Sequence, residues 1–308
     1  MTERELIDAY KRYLRLELNL TENSIQAYLG DVEKLFAYMK GGNIKLEDVT
    51  YTTLQHFVAQ LYDLGISPRS IARVISGIKS FYRFLILEEY VEIDPSELLE
   101  TPKIGLHLPT VLSVEEIDLI IESIDMTKDE GLRNKAIIEV LYSCGLRVSE
   151  LCHLRLRDVH PEEGFIQVWG KGRKERLVPI STSALEAINK YLSSDKRPVP
   201  KPGETEYIFL SRRGKAISRI TVFCLIKDLA ILAGITKDIS PHTFRHSFAT
   251  HLLEGGANLQ AIRIMLGHED IGTTEIYTHI DKTQLRRDIL KYHPRNSAYY
   301  RSLQEEEE

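Results

Sequence analysis

Residues 94–113, DPSELLETPKIGLHLPTVLS, limit the possible folds more than any other stretch. They carry Pro95, Pro102 and Pro109 and lose all helical periodicity over 101–112. Proline fixes φ and cannot donate to a ladder, so such a run breaks regular structure. A chain of 308 residues interrupted there has room for two cores. The expected organisation is a helical domain over 1–99, a linker over 100–112, a second domain over 113–295, and a tail over 296–308.

Before the break the chain reads as helices. In ELIDAYKRYLRLEL the apolar residues Leu6, Tyr10, Tyr13 and Leu14 recur at helical spacing. A second helix follows the break at 19–21 and runs to Gly41-Gly42. A third spans about 52–64, and a fourth opens at Ser67-Pro68, an N-cap followed by a first-turn proline. On this fourth helix Arg69, Arg73, Ser76, Ser80 and Arg83 share one face, opposite Ile71, Val74, Ile75, Ile78 and Phe81. A solvated polar face fits this pattern. So does a helix laid on DNA, with cations on phosphates and serines near base edges. The absence of any acidic residue over 67–87 favours DNA.

After the break the pattern is mixed. Ser113 and Glu116 form a capping-box pair. LRNKAIIEVLYSCG and RVSELCHLRLRDV read as helices, and FIQVWGKG and KERLVPI as strands joined by a turn with Gly170 and Gly172. STSALEAINKYLSS reads as a helix and YIFLS as a strand. Helix is expected from 218 through 253, again over 259–266, and finally in DKTQLRRDILKYH. The fold class is therefore mainly α, with an all-helical N-terminal domain and a small β-sheet in an α+β second domain.

Charge and composition exclude some classes. No apolar run is long enough to cross a bilayer, and the charged start MTERELIDAYKRY lacks a signal-peptide core, so a cytoplasmic protein is expected. Cys144, Cys152 and Cys224 form no paired framework and sit in apolar patterns, which suggests core packing. The net charge of −5 argues against a nucleic-acid partner at first sight. Yet Glu305, Glu306, Glu307 and Glu308 supply much of it. Over 212–245, Arg212, Arg213, Lys215, Arg219, Lys227, Lys237 and Arg245 face only Asp228 and Asp238. Binding depends on where charge sits.

The chemistry concentrates in SPHTFRHSFATHL and LGHEDIGTTEIYTH. Ser240-Pro241 opens a helix, so His242 and Arg245 stand in its first turns on one side, where N–H groups and dipole favour an anion. The arginine fork matches two phosphate oxygens. For these residues alone, a carboxylate-paired Arg245 and a capping or core His242 are the better fit. A metal site on His242, His246 and His251 is disfavoured, because Thr243 stands where the zinc-protease arrangement needs glutamate. Tyr277 taken alone reads as a core aromatic. Its phenol, of pKa about 10, would attack phosphorus only beside cations and a base. Arg147, Arg245, His242 and His268 are such groups. Arg147 could instead be a helix-end cation paired with Glu150, and Lys171 merely a solvated turn residue. A lysine on a mobile hairpin is also placed to protonate a leaving group.

Taken together, CGLRVSEL, GKGRKER, HTFRH and LGHEDIGTTEIYTH resemble the signature of the tyrosine recombinase (lambda-integrase) family. Order and spacing fit over nearly the whole chain. SPRSIARVISGIKSFYRFL, HLPTVLS and YHPRN are most similar to the Xer branch. The resemblance implies two domains clamped around duplex DNA, and Tyr277 as the nucleophile forming a 3′-phosphotyrosyl link. It implies Arg147 and Arg245 on the non-bridging oxygens, and His242 as base or hydrogen-bond partner of Tyr277. His268 would bond the phosphate, Lys171 would protonate the leaving 5′-oxygen, and Glu150 would support from behind. No cofactor, ATP or metal is implied. Partners would be duplex DNA with a specific site, a homo- or hetero-tetramer with a sister recombinase, and a septal DNA translocase, with no membrane. Cys144 replaces a more usual threonine, and the glutamate tail lies outside the family pattern.

Three other functions fit parts of the sequence. A mobile-element integrase would use the same chemistry, though no added N-terminal arm-binding domain is seen. A DNA-binding protein that never cuts would show a broken catalytic set. A type IB topoisomerase would relax DNA without site-specific binding and junction formation.

Overall fold

The computed structural model describes residues 2–102, 110–169, 175–267 and 282–296. The chain divides into two compact units, Met1–His107 and Leu108–Glu308.

The first unit is helical: α1 (Glu3–Leu16), α2 (Glu22–Gly41), α3 (Tyr51–Asp63) and α4 (Pro68–Leu87). Each helix starts on a hydroxyl that satisfies an orphan N–H: Thr2, Thr21, Thr50 and Ser67 accept from the residue three on. The predicted apolar residues Leu6, Tyr10, Tyr13 and Leu14 are all buried. Tyr10 meets the edge of Phe81 at 5.1 Å and lies 5.4 Å from Phe84, so aromatic packing joins α1 to α4.

The second unit is built around α6 (Gly131–Cys144), buried on nearly every side. It follows α5 (Val114–Glu122), whose Ser113–Glu116 capping box is formed. Next come α7 (Val148–Cys152) and strands β1 (Val159–His160), β2 (Phe165–Trp169) and β3 (Glu175–Pro179), an antiparallel sheet in chain order. Then follow α8 (Thr182–Leu192), α9 (Arg219–Leu232), α10 (Pro241–Gly255), α11 (Leu259–Leu266) and α12 (Lys282–Tyr292). Helices α8 and α10 pack on α6. The Leu112 amide donates to the Ser247 hydroxyl at 2.9 Å, tying the start of the unit to α10. The mainly α fold with a small sheet agrees with the sequence expectation.

Four local expectations are corrected. RVSELCHLRLRDV is not one helix, because α7 ends at Cys152. Beyond it the backbone bonds sideways: Leu156 N–H donates to the Glu206 carbonyl at 2.8 Å and Ile208 N–H to the Leu154 carbonyl at 3.0 Å. YIFLS is not a strand, and only isolated bridges form there, at Tyr207 and Leu210. The helix expected over 218–253 is two helices, since Gly234, at φ +70°, ends α9 in a left-handed turn. Cys224 is exposed, unlike the buried Cys144 and Cys152. Among the described residues no helix is long and apolar enough to cross a membrane.

Candidate active site

The site begins where α6 stops. Gly145 takes a left-handed conformation at φ +56°, which an L-residue adopts only with strain. A Cβ there would also lie 2.4 Å from the Phe248 ring. The turn it makes puts Arg147 at the N-cap of α7 and Glu150 three residues on. The Glu150 carboxylate accepts the Arg147 backbone N–H at 2.8 Å and its guanidinium at 3.0 Å. Arg147 also donates to the Gly267 carbonyl at 3.2 Å. Its side chain stays 36% exposed, so it is held yet open to a ligand.

Arg245 enters from α10, whose first turn is fixed by Pro241 and a Ser240–Thr243 capping box. Its guanidinium donates to the Gly145 carbonyl at 2.6 Å and to the Leu266 carbonyl. The carboxylate pairing that the sequence left open is therefore not formed among the described residues. His242, one turn earlier, is exposed, and lines a cleft with Thr110, Arg245, His246 and Leu266. His251 points elsewhere, with its ring nitrogen 2.8 Å from the Tyr142 hydroxyl. Among the described residues no group of three or more His, Cys, Asp or Glu is placed to hold a metal ion.

Sequence reasoning missed Arg176. It stands on β3 opposite Val168 and is buried. Its fork grips both Glu150 oxygens, at 2.7 and 2.9 Å, and its Nε donates to the Met265 carbonyl at 2.8 Å. The signal was its alternation: Arg176 shares a strand face with Val178, which is buried.

Three guanidinium groups gather near one carboxylate, which bonds Arg147 and Arg176 but not Arg245, leaving a local excess of two positive charges. Burial lowers the Arg245 guanidinium to about 10, helped by the neighbouring Arg147 and Arg176 cations and opposed by Glu150. It remains charged at neutral pH. Burial raises the Glu150 carboxyl, but Arg176 and Arg147 outweigh this and hold it below the ordinary carboxylate value. The cluster thus has unspent positive charge and arginine forks at one spot, which suits a phosphodiester. Lys171, His268 and Tyr277 lie outside the described residues.

On α4 the five stripe residues differ in setting. Arg69 and Arg83 are exposed. Arg73 is half-exposed but donates to Asp31 of α2 at 2.7 Å, a buried carboxylate that Lys34 also reaches at 2.9 Å. The Ser76 hydroxyl bonds back to the Ala72 carbonyl at 3.0 Å. Ser80 is partly buried beside the Tyr10 hydroxyl. The carboxylate missing from 67–87 is thus supplied by a neighbouring helix.

The Phage integrase family profile matches residues 110–284, and the Phage integrase N-terminal SAM-like domain matches 7–89. The chain belongs to the phage integrase family, the tyrosine recombinases. It is XerD-like: identity to Tyrosine recombinase XerD of Staphylococcus haemolyticus is 42% over 291 residues, covering 94% of this chain and 99% of that protein. It is accordingly a site-specific tyrosine recombinase. Two solved structures share the fold. A lambda integrase dimer bound to a COC′ core site gives a TM-score of 0.71 at 18% identity, over 88% of this chain and 96% of that one. XerH site-specific recombinase bound to palindromic difH substrate, a post-cleavage complex, gives 0.69 at 23% identity, over 93% and 83%.

Proposed function

We propose that the chain cuts and rejoins duplex DNA with Tyr277 as nucleophile, and that it resolves chromosome dimers for segregation at cell division. The tyrosine oxygen attacks the scissile phosphorus while the bond to the 5′-oxygen breaks. A 3′-phosphotyrosyl link forms and a 5′-hydroxyl leaves. His242 takes or shares the phenol proton, and Lys171 delivers a proton to the departing oxygen. Arg147, Arg245 and His268 neutralise the charge that develops on the non-bridging oxygens, and Glu150 braces Arg147. Rejoining follows when a 5′-hydroxyl from the partner duplex attacks the link. Bond energy stays in the covalent intermediate throughout.

The observation that carries this function is the cluster of Arg147, Arg176 and Arg245 around a single carboxylate. The domains act as 1–99 on DNA, 100–112 as linker and 113–295 as catalyst, with 296–308 as an acidic tail. Arg69, Arg73, Ser76, Ser80 and Arg83 are assigned to the DNA face of the front domain. The assembly is a tetramer on two sites, of one recombinase or of this chain with a sister, in the cytoplasm and served by a septal DNA translocase. XerH is bound to difH substrate in its own structure, which supports a specific DNA site here.

The test is a nicked suicide duplex carrying a candidate site, incubated with the chain alone and with a partner recombinase. A covalent protein–DNA adduct is expected for wild type and none for Tyr277→Phe. An adduct that survives in Tyr277→Phe removes the nucleophile. Its absence in wild type, on every site and with every partner, removes the reaction.

A further inference from the structure

The chemistry just described leaves Arg176 without a part, although it is the most enclosed of the three arginines. Its side chain is 4% exposed, against 36% for Arg147. A buried guanidinium is costly unless its N–H groups find acceptors, and these do. Both Glu150 oxygens that Arg176 grips also serve Arg147, one taking its backbone N–H and the other its guanidinium. Arg176 thus holds the carboxylate from inside, and Arg147 leans on it from the open side. A second link runs by way of Gly267, two residues after Met265, whose carbonyl accepts the Arg176 Nε–H at 2.8 Å. A Cβ on that glycine would sit 3.1 Å from Arg176 Cδ, while the glycine's carbonyl accepts from Arg147. Arg176 therefore grips one group that orients Arg147 and anchors the backbone two residues before the other.

We propose that Arg176 is a positioning residue of the recombinase: by fixing Glu150 and the Gly267 turn, it sets the angle at which the Arg147 guanidinium meets the scissile phosphate. This rests on the assignment of Arg147 as a phosphate clamp. A pair that served stability alone would be replaceable, since buried ion pairs often give way to apolar residues of similar size without loss of fold. Arg176→Met with Glu150→Gln comes nearest to that exchange, whereas Arg176→Met alone breaks the pair and leaves the Glu150 carboxylate to Arg147.

The experiment is single-turnover cleavage of the nicked duplex by the full chain, with rate constant and amplitude read separately. DNA affinity and thermal melting are measured on the same samples. Arg176→Met is expected to melt cooperatively but at a lower temperature than wild type, because the buried pair is broken, and to bind DNA within about threefold of wild type under conditions where it is folded. Its cleavage rate constant falls by about tenfold to a hundredfold, as a displaced catalytic group would cause. Arg176→Lys falls too, because one ammonium cannot span both carboxylate oxygens. Adding Glu150→Gln to Arg176→Met slows cleavage little further, since both act through one contact.

A wild-type rate constant in Arg176→Met, with only the amplitude reduced, overturns the inference. So do losses that multiply in the double variant. Where Arg176→Met does not fold, Arg176→Lys decides: a wild-type rate constant there overturns the inference, and a slow one in a folded protein upholds it. A wild-type chain that binds its site and forms no adduct overturns the clamp itself and this inference with it. An adduct in wild type beside unimpaired Arg176 variants overturns this inference alone.

Discussion

Arg147 and Arg245 are anchored crosswise, each by the helix end that lies beside the other. Arg245 donates to the carbonyl of Gly145, two residues before Arg147, at 2.6 Å. Arg147 donates to the carbonyl of Gly267 at 3.2 Å, next to the Leu266 carbonyl that Arg245 also reaches. The end of α6 and the end of α11 are thereby locked together, and the two carbonyls that hold Arg245 carry no formal charge to cancel its own.

Gly145→Ala breaks this lock. The new methyl meets the Phe248 ring at 2.4 Å, in a backbone conformation that already disfavours alanine. Left-handed strain costs about 1–2 kcal/mol and overpacking about 1–3. Urea melts should show a loss of roughly 2–5 kcal/mol, with adduct formation reduced in the fraction that folds. An unchanged midpoint refutes the crowding.

Glu150 should tolerate neutralisation better than removal. Glu150→Ala strands Arg176 in the interior, and breaking a buried pair costs roughly 3–5 kcal/mol. Glu150→Gln keeps an acceptor oxygen and should lose markedly less. The wild-type carboxyl is held below its ordinary value. Its contribution is therefore present above that ordinary value and fades as pH falls through the lower folded one. Equal denaturation midpoints for the two variants would contradict the pairing.

His293 predicts a different acid response. Its ring is fully buried, 4.7 Å from the Tyr142 ring and 5.5 Å from Phe248. Burial pushes its imidazole down to about 3, helped by the charges of His251 and Arg295. The unfolded chain takes up this proton below the ordinary histidine value, whereas the folded chain resists. Stability should thus be intact above about pH 6.5 and fall below it by about 1.4 kcal/mol per unit from this group. His293→Asn should remove that share of the slope between pH 6 and about 4. An identical slope in the variant would assign it elsewhere.

The α4 face separates by salt dependence. Arg69→Ala and Arg83→Ala should each reduce the slope of log affinity against log salt by about one, with stability within about 0.5 kcal/mol of wild type. Arg73→Ala should cost stability as well, about 1–2 kcal/mol, because Asp31 then keeps only Lys34. Fluorescence anisotropy across a salt series, with parallel melts, checks both. Unchanged slopes in all three variants would remove α4 from the DNA face.

Local rules made much of the fold readable. Ser67-Pro68 and Ser113–Glu116 start helices where their hydroxyls reach free N–H groups, and Leu6, Tyr10, Tyr13 and Leu14 bury because their spacing is that of one helix face. What escaped depends on partners far along the chain. Asp31 answers Arg73 across 42 positions and Glu150 answers Arg176 across 26. RVSELCHLRLRDV keeps helical periodicity to its end, yet residues 206–208 capture its backbone groups and stop the helix. At the site, Arg147, His242 and Arg245 were visible as residue types in a spacing. Arg176 was not, because a charged side chain on a strand reads as solvent-facing until its buried counter-charge is known.

The acceptors that hold Arg147 and Arg245 at the two helix ends are the main-chain oxygens of Gly145, Leu266 and Gly267. Such acceptors have no residue identity. Leu266 can be exchanged for another apolar residue and still present the same oxygen, while either glycine, by accepting a side chain, would swing its oxygen away. The grip on the arginines is therefore encoded in the course of the backbone, and drift in this protein should be free along one letter of that code and forbidden at the two beside the bends.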